Sequence, residues 1–211
     1  MPTPTEESII LEIMEMESGI DLSDPDTIDL TRSGYIDDPD DAGGVTSIWG
    51  WTARALKDHG YHKHPGELTF NEAYALYARY YYIRSGAQRV LPHHPWLARA
   101  MCNFGVHAGY RTAGRYLQVI LNLHNNRGKL WDDLKEDGLV GGATIRVLMA
   151  YLARRKANGG EDVIMSDYLI KIGAHYQGIM IARESQEKYA YGWLSRVKDL
   201  MKEYFVYIAN K

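Results

Sequence analysis

The sequence has 211 residues, 45% hydrophobic and 24% charged, with a net charge of −3. These figures are ordinary for a soluble globular protein of one domain or two small lobes. The slight negative charge gives no general attraction to nucleic acid or to an anionic membrane. The single cysteine, Cys102, excludes an intramolecular disulfide, and no apolar run approaches the ~20 residues of a membrane-spanning helix.

The N-terminal MPTPTEESII lacks the basic, then apolar, then small-residue order of a secretory signal. Synthesis in the cytoplasm is therefore expected, with no membrane insertion. Residues 1–19 read as a helix, with Thr3 as N-cap, Pro4 at the first helical position and Glu6 closing a capping box. Ile9, Ile10, Ile13 and Met14 fall on one stripe of this helix. Glu17 continues the stripe, while Glu12 and Glu15 point elsewhere. Ionising a carboxyl on a buried stripe is costly, and keeping its proton is what a general acid requires. The alternative is a helix that frays at Ser18-Gly19 and leaves Glu17 in water.

Residues 20–48 change character. Eight aspartates (Asp21, Asp24, Asp26, Asp29, Asp37, Asp38, Asp40, Asp41) are interleaved with Pro, Gly and Ser. Only short β-type fragments such as Thr27–Leu30 occur, so a loop or small hairpin is expected, long enough to suggest function. From Trp49 onward, three- and four-residue spacing predicts helices over 50–59, 69–85, 95–108, 112–124, 143–156, 162–181 and 187–208. The expected fold is mainly α, a helical bundle with a small β-hairpin or loop region near residues 20–48.

Several clusters carry less. His59, His62, His64, His93 and His94 match no closed zinc site and are read as exposed loop histidines. The aspartates lack the ligand order of an EF-hand, so neither a metal nor any other cofactor is expected. The run Tyr77 to Tyr82 is read as helix packing with polar tips at the surface, because no basic groove accompanies it.

The helix ending in Glu17-Ser18-Gly19-Ile20 and the stretch Asp38-Pro39-Asp40-Asp41-Ala42-Gly43-Gly44-Val45-Thr46 together resemble the N-acetylmuramidases of glycoside hydrolase family 108. In that family a helix ends in Glu-Gly-Gly-Tyr, followed by Asp-Pro-x-Asp-x-Gly-Gly-x-Thr and an aromatic-Gly pair. Two registers are open. Arg32-Ser33-Gly34-Tyr35 has the family's spacing to the aspartates but no acid; Glu17 has the acid and the helix, followed by about fifteen extra residues. A surface insertion costs little closure entropy, so the Glu17 register is preferred. Trp49-Gly50-Trp51 stands where an aromatic-Gly-Ile is usual. Asn103-Phe104-Gly105-Val106-His107-Ala108-Gly109 resembles Asp-Phe-x-Val-Asn-x-Gly, with His107 in place of asparagine. Leu117-Gln118, Asp137 to Thr144 and Gly192-Trp193-Leu194-Ser195-Arg196 resemble motifs of the family's C-terminal peptidoglycan-binding module.

The resemblance implies a lysozyme-like catalytic lobe, 1–108, and a helical wall-binding module, 109–211, packed on it. It implies hydrolysis of the β-1,4 bond between N-acetylmuramic acid and N-acetylglucosamine in peptidoglycan glycan strands. Glu17 would be the proton donor, Asp41 the ionised partner, and Thr46 would hold water or orient Asp41. Tyr35, Trp49 and His107 would contact substrate, although Trp49 has an equal claim to be a core residue. Gly43 and Gly44 would shape the loop. The implied setting is a monomeric phage endolysin, made in the host cytoplasm and released to the periplasmic wall by a holin-type pore or a secretion system. The alternative is a non-catalytic peptidoglycan-binding or virion-associated structural protein, which follows if Arg32 fills the acid's place.

Overall fold

The computed structural model describes residues 2–22, 29, 32–37, 45–156 and 160–211. Among them are nine α-helices and one two-stranded sheet. Two compact units are formed, one by Glu6–Tyr82 and the other by Met1–Thr5 with Ile83–Lys211.

In the first unit, α1 spans Glu6–Ser18. It starts two residues beyond the expected Pro4, with Glu6 and Glu7 filling the first turn, where the positive end of the helix dipole favours carboxylates. Ile9, Ile10, Ile13 and Met14 are buried as their spacing predicts, and α1 packs on α3, Phe70–Tyr77. Strands β1, Tyr35–Ile36, and β2, Thr46–Ser47, pair antiparallel with Tyr35 opposite Ser47 and Ile36 opposite Thr46. Of the expected β fragment at 27–30, only Asp29 is among the described residues, and it belongs to no strand. After β2, a turn through Trp49 and Gly50 leads to the short helix α2, Ala53–Asp58, whose first turn is capped by the Thr52 hydroxyl.

The expected single helix over 69–85 is instead two segments. α3 opens with a Thr69/Glu72 capping box and passes into a π-helical turn over Ala78–Ile83. The tyrosine tips of this run do not lie at the surface as expected. Tyr77, Tyr80 and Tyr82 are buried, and the Tyr77 and Tyr80 hydroxyls donate to the carbonyls of Trp49 and His59. A buried phenol needs an acceptor, and loop carbonyls supply it.

The second unit contains α4 (Ala87–Val90), α5 (Pro95–Ala108), α6 (Tyr110–Leu123), α7 (Gly142–Arg155), α8 (Glu161–Ala182) and α9 (Ala190–Ala209). A 3-10 turn over Glu184–Tyr189 precedes α9. α5 is the central element: Trp96 to Gly105 are all buried, and it packs on α4, α6 and α8. Its start is set by Pro95 at the first turn and by His94, whose Nδ1 accepts from the Leu97 amide. His94 is therefore a buried cap and not an exposed loop histidine. His59 is also partly covered, stacked on Tyr80 at 3.7 Å.

The motif pair Leu117-Gln118 and Asp137–Thr144 closes on itself. Buried Gln118 donates to Asp137 Oδ1 at 3.1 Å and to the Leu139 carbonyl at 3.2 Å, with Thr144 Oγ1 at 3.4 Å. Its own Oε1 accepts from the Gly138 amide at 2.7 Å. Gly138 has φ +75°, and a Cβ there would sit 2.2 Å from the Arg111 carbonyl oxygen, so only glycine fits. Truncating Gln118 to alanine strands several of these groups, at about 1–3 kcal/mol for each left unsatisfied. Gln118→Ala is expected to lower Tm by roughly 5–10 °C in thermal unfolding. An unchanged Tm would show that the motif is not a structural lock.

Candidate active site

Glu17 lies in the last turn of α1, half-buried. The helix does not fray there. Gly19 adopts φ +66° and its amide donates to the Glu15 carbonyl at 2.8 Å, the usual way a left-handed glycine closes a helix. Ser18 Oγ then accepts from the Ile20 amide at 3.2 Å. The glutamate is thus presented from a fixed helix end.

Three residues crowd it. Gly50 has φ +83°, and a Cβ there would lie 2.8 Å from Glu17 Cβ, 3.0 Å from the Glu17 carbonyl oxygen and 3.0 Å from the Tyr77 hydroxyl. The turn after β2 can approach Glu17 this closely only because residue 50 has no side chain. Tyr77 is held with its hydroxyl 3.0 Å from the Trp49 carbonyl. Burial, then the charge of Glu17, raise its pKa well above the usual tyrosine range.

Tyr81 is the third. It is half-buried, stacked on Trp51 at 5.6 Å and tilted against Tyr77 at 5.7 Å. Burial, then the charge of Glu17, raise its pKa too, so its phenol stays protonated. Its hydroxyl makes no hydrogen bond among the described residues. Sequence reading missed both tyrosines because it assigned the run to packing. The four-residue spacing of Tyr77 and Tyr81 was the available signal.

The other expected site residues fall as follows. Asp41, Gly43 and Gly44 lie outside the described residues. Thr46 is half-buried in β2, paired with Ile36 and bridged to Thr52, in the strand that leads to Gly50. Tyr35 is 56% exposed, its ring perpendicular to that of His64 at 5.0 Å. Trp49 takes its core alternative: it is 1% exposed, packs on Phe70 and donates from Nε1 to the Leu68 carbonyl at 3.1 Å. Its ring offers no free face to a sugar. Arg32 is exposed and outside any helix or strand, its amide donating to the Asp29 carbonyl at 3.0 Å.

His107 belongs to the second unit, in the last turn of α5. It meets Tyr176 edge-on at 6.2 Å and keeps another edge exposed. Desolvation, then the Arg196 guanidinium, push its pKa down to about 4. Among the described residues no group of His, Cys, Asp or Glu gathers as a metal site, and no helix is long and apolar enough to cross a membrane.

A mainly helical protein with one small antiparallel hairpin, in which the first helix delivers a glutamate beside that hairpin, has a lysozyme-like fold. Residues 27–109 match the family model for glycosyl hydrolase 108, and residues 112–198 match that for a predicted peptidoglycan domain. Among solved structures, that described as the structure of Brucella abortus SagA is similar, with TM-score 0.61 and 20% identity over 95% of each chain. No curated protein matches the sequence. The chain therefore carries a glycosyl hydrolase 108 domain followed by a peptidoglycan-binding module, and it is a glycosidase whose substrate is peptidoglycan. The hydrolase match begins ten residues after Glu17 and includes Arg32.

Gly50→Ala forces a side chain into Glu17 and a strained φ. It is expected to reduce wall lysis at least tenfold, about 1.4 kcal/mol or more in barrier, in a turbidity assay. Tyr81→Phe removes only the hydroxyl, so its effect should fall on turnover and its pH profile and leave Tm in place. For His107 the sign is worked from its lowered pKa: the unfolded ring binds a proton that the folded ring refuses, so stability falls as pH drops from about 6.5 toward 4. His107→Asn should shrink the loss of Tm between pH 7 and pH 5.

Proposed function

We propose that the protein is a lysozyme-type N-acetylmuramidase, cleaving the β-1,4 bond between N-acetylmuramic acid and N-acetylglucosamine with Glu17 as general acid. The observation that carries this reading is the seating of Glu17: a capped helix end, a glycine without which the adjacent turn would collide, and two protonated phenols alongside. Arg32 has no comparable setting. In the reaction Glu17 gives its proton to the leaving glycosidic oxygen as the anomeric carbon becomes cationic. Asp41, ionised, stabilises that carbon or activates water, and Thr46 holds the water or orients Asp41. Tyr35 offers an aromatic face to the sugar. The Tyr81 hydroxyl donates to Glu17 once it has lost its proton, or to the sugar beside it. Residues 1–108 supply cleavage and 109–211 hold the wall, a division supported by the break between the two matched segments. The biological setting is that of an endolysin, released to the wall by a pore or secretion system.

A second reading, a protein that binds wall without cutting it, draws support from one observation. The hydrolase match covers Arg32 and leaves Glu17 outside. Point variants separate the two. Glu17→Gln keeps size and hydrogen bonding but has no transferable proton, so lysis of permeabilised Gram-negative cells should fall by about two orders of magnitude or more, with Tm unchanged. Asp41→Ala should lower turnover strongly and wall binding little; Arg32→Ala should leave most activity. Full lysis by Glu17→Gln would reject the assignment, and no lysis by the unmodified protein would favour the second reading.

A further inference from the structure

A cavity of about 540 Å³ opens in the unit that contains Ile83–Lys211, within the size range of small-ligand sites. Glu17, Tyr35, Thr46, Tyr77 and Tyr81 do not line it. One wall is aromatic: half-buried Tyr207 faces the cavity, backed by buried Trp96 at 5.3 Å between ring centroids. Trp96 is 3% exposed, and its indole N–H has no acceptor among the described residues.

Charged side chains of both signs also line the cavity, beside His93, His94, Pro95 and Ile208. Lys156 caps the C-terminal end of α7 and makes no ion pair among the described residues. Lys211 brings a second ammonium, 6.0 Å from the Tyr207 ring centroid. Opposed to them is one carboxylate, Asp162 in the first turn of α8. Its Oδ1 accepts from the Tyr204 hydroxyl at 2.7 Å, which fixes its position and leaves Oδ2 for another donor.

A ligand complementary to these walls is short, has an aliphatic body for the aromatic wall, and carries carboxylates together with an ammonium. Acetylated sugars of a glycan strand do not offer both charges, since even the lactyl carboxylate of a muramic acid stripped of its stem comes with no amine. The peptide stems attached to that strand have them: free carboxylates and, at a diamino acid, a side-chain amine. We propose that this cavity binds the stem peptide of peptidoglycan. A stem carboxylate lies against Lys156, the stem amine against Asp162 Oδ2, and the aliphatic chain along Tyr207 and Ile208. The proposal rests on peptidoglycan being the substrate and is independent of which residue is the acid. It makes the unit that contains Ile83–Lys211 a reader of peptide-bearing glycan, holding strand segments that still carry their stems.

The test uses a ligand with no glycosidic bond, so cleavage cannot confuse it. The full chain is titrated calorimetrically with a soluble stem peptide that has free carboxylates and a free side-chain amine. Saturable binding is expected, weakened about tenfold or more by Lys156→Glu, since the mutation turns a charge attraction into a repulsion. Amidating the peptide's carboxylates should weaken binding to the unmodified protein equally, a comparison that needs no variant to fold. Absence of binding, equal binding by Lys156→Glu, or equal binding of the amidated peptide would overturn the proposal. So would displacement of the peptide by acetate at equal concentration, the mark of a generic anion site. A Glu17→Gln protein that cannot lyse cells but binds the peptide normally would keep this inference, and the cleavage assignment is judged on lysis alone.

Discussion

Where α1 can end is decided by the four aliphatic side chains it buries. Ile9, Ile10, Ile13 and Met14 are each 2% exposed or less, and full burial of such side chains favours the packed state by about 1.5–3 kcal/mol each, as an upper estimate. With that much holding one face against α3, the last turn of α1 cannot swing or unwind cheaply. Glu17 inherits its position from greasy neighbours. Gly19 stops the helix one turn after the last buried residue, and Gly50 lets the following turn close against the glutamate. A carboxylate placed this way needs little reorganisation when the substrate arrives, the condition under which electrostatic and proton-transfer catalysis is strongest.

Tyrosine does much of the joining elsewhere. Tyr77, Tyr80, Tyr151 and Tyr168 each reach a backbone carbonyl outside their own helical turn, those of Trp49, His59, Gly160 and Ala113. Each ring fills core volume while its hydroxyl satisfies an acceptor that a loop or helix end would otherwise leave to water. Such a core is fastened at chosen points along its connections, which suits a protein with long irregular segments.

Helices were legible in the sequence wherever the apolar period was long and uninterrupted. α5, α6, α7 and α8 lie within two residues of expectation at each end, because their large apolar residues recur every three or four positions. The stripe of α1 and the place of Glu17 on it were legible for the same reason. The start of α1 was not, since the helix begins at Glu6, two residues beyond the Pro4 that the Thr3-Pro4 signal marked. Trp49 was ambiguous because an indole serves core and cleft equally well. His94 was misread because its role is a hydrogen bond to the next helix turn, invisible to composition. Tyr81 and Gly50 escaped as partners of Glu17 because their meeting is made across the chain, by a bend and a turn that no local pattern encodes.

The π-helical turn at Ala78–Ile83 bears on how relatives of this protein are compared. Such a turn bridges five residues where an α-turn bridges four, so it stores one extra residue without lengthening the helix by a full step. Everything after it is rotated by roughly 100° about the axis relative to a plain α-helix. A related chain that lacks the extra residue would align with a single gap inside this helix, easily dismissed as noise in a tyrosine-rich run. That gap would turn the equivalent of Tyr81 onto another face of the helix. One missing letter can therefore separate a chain that keeps a phenol beside its acid from one that does not.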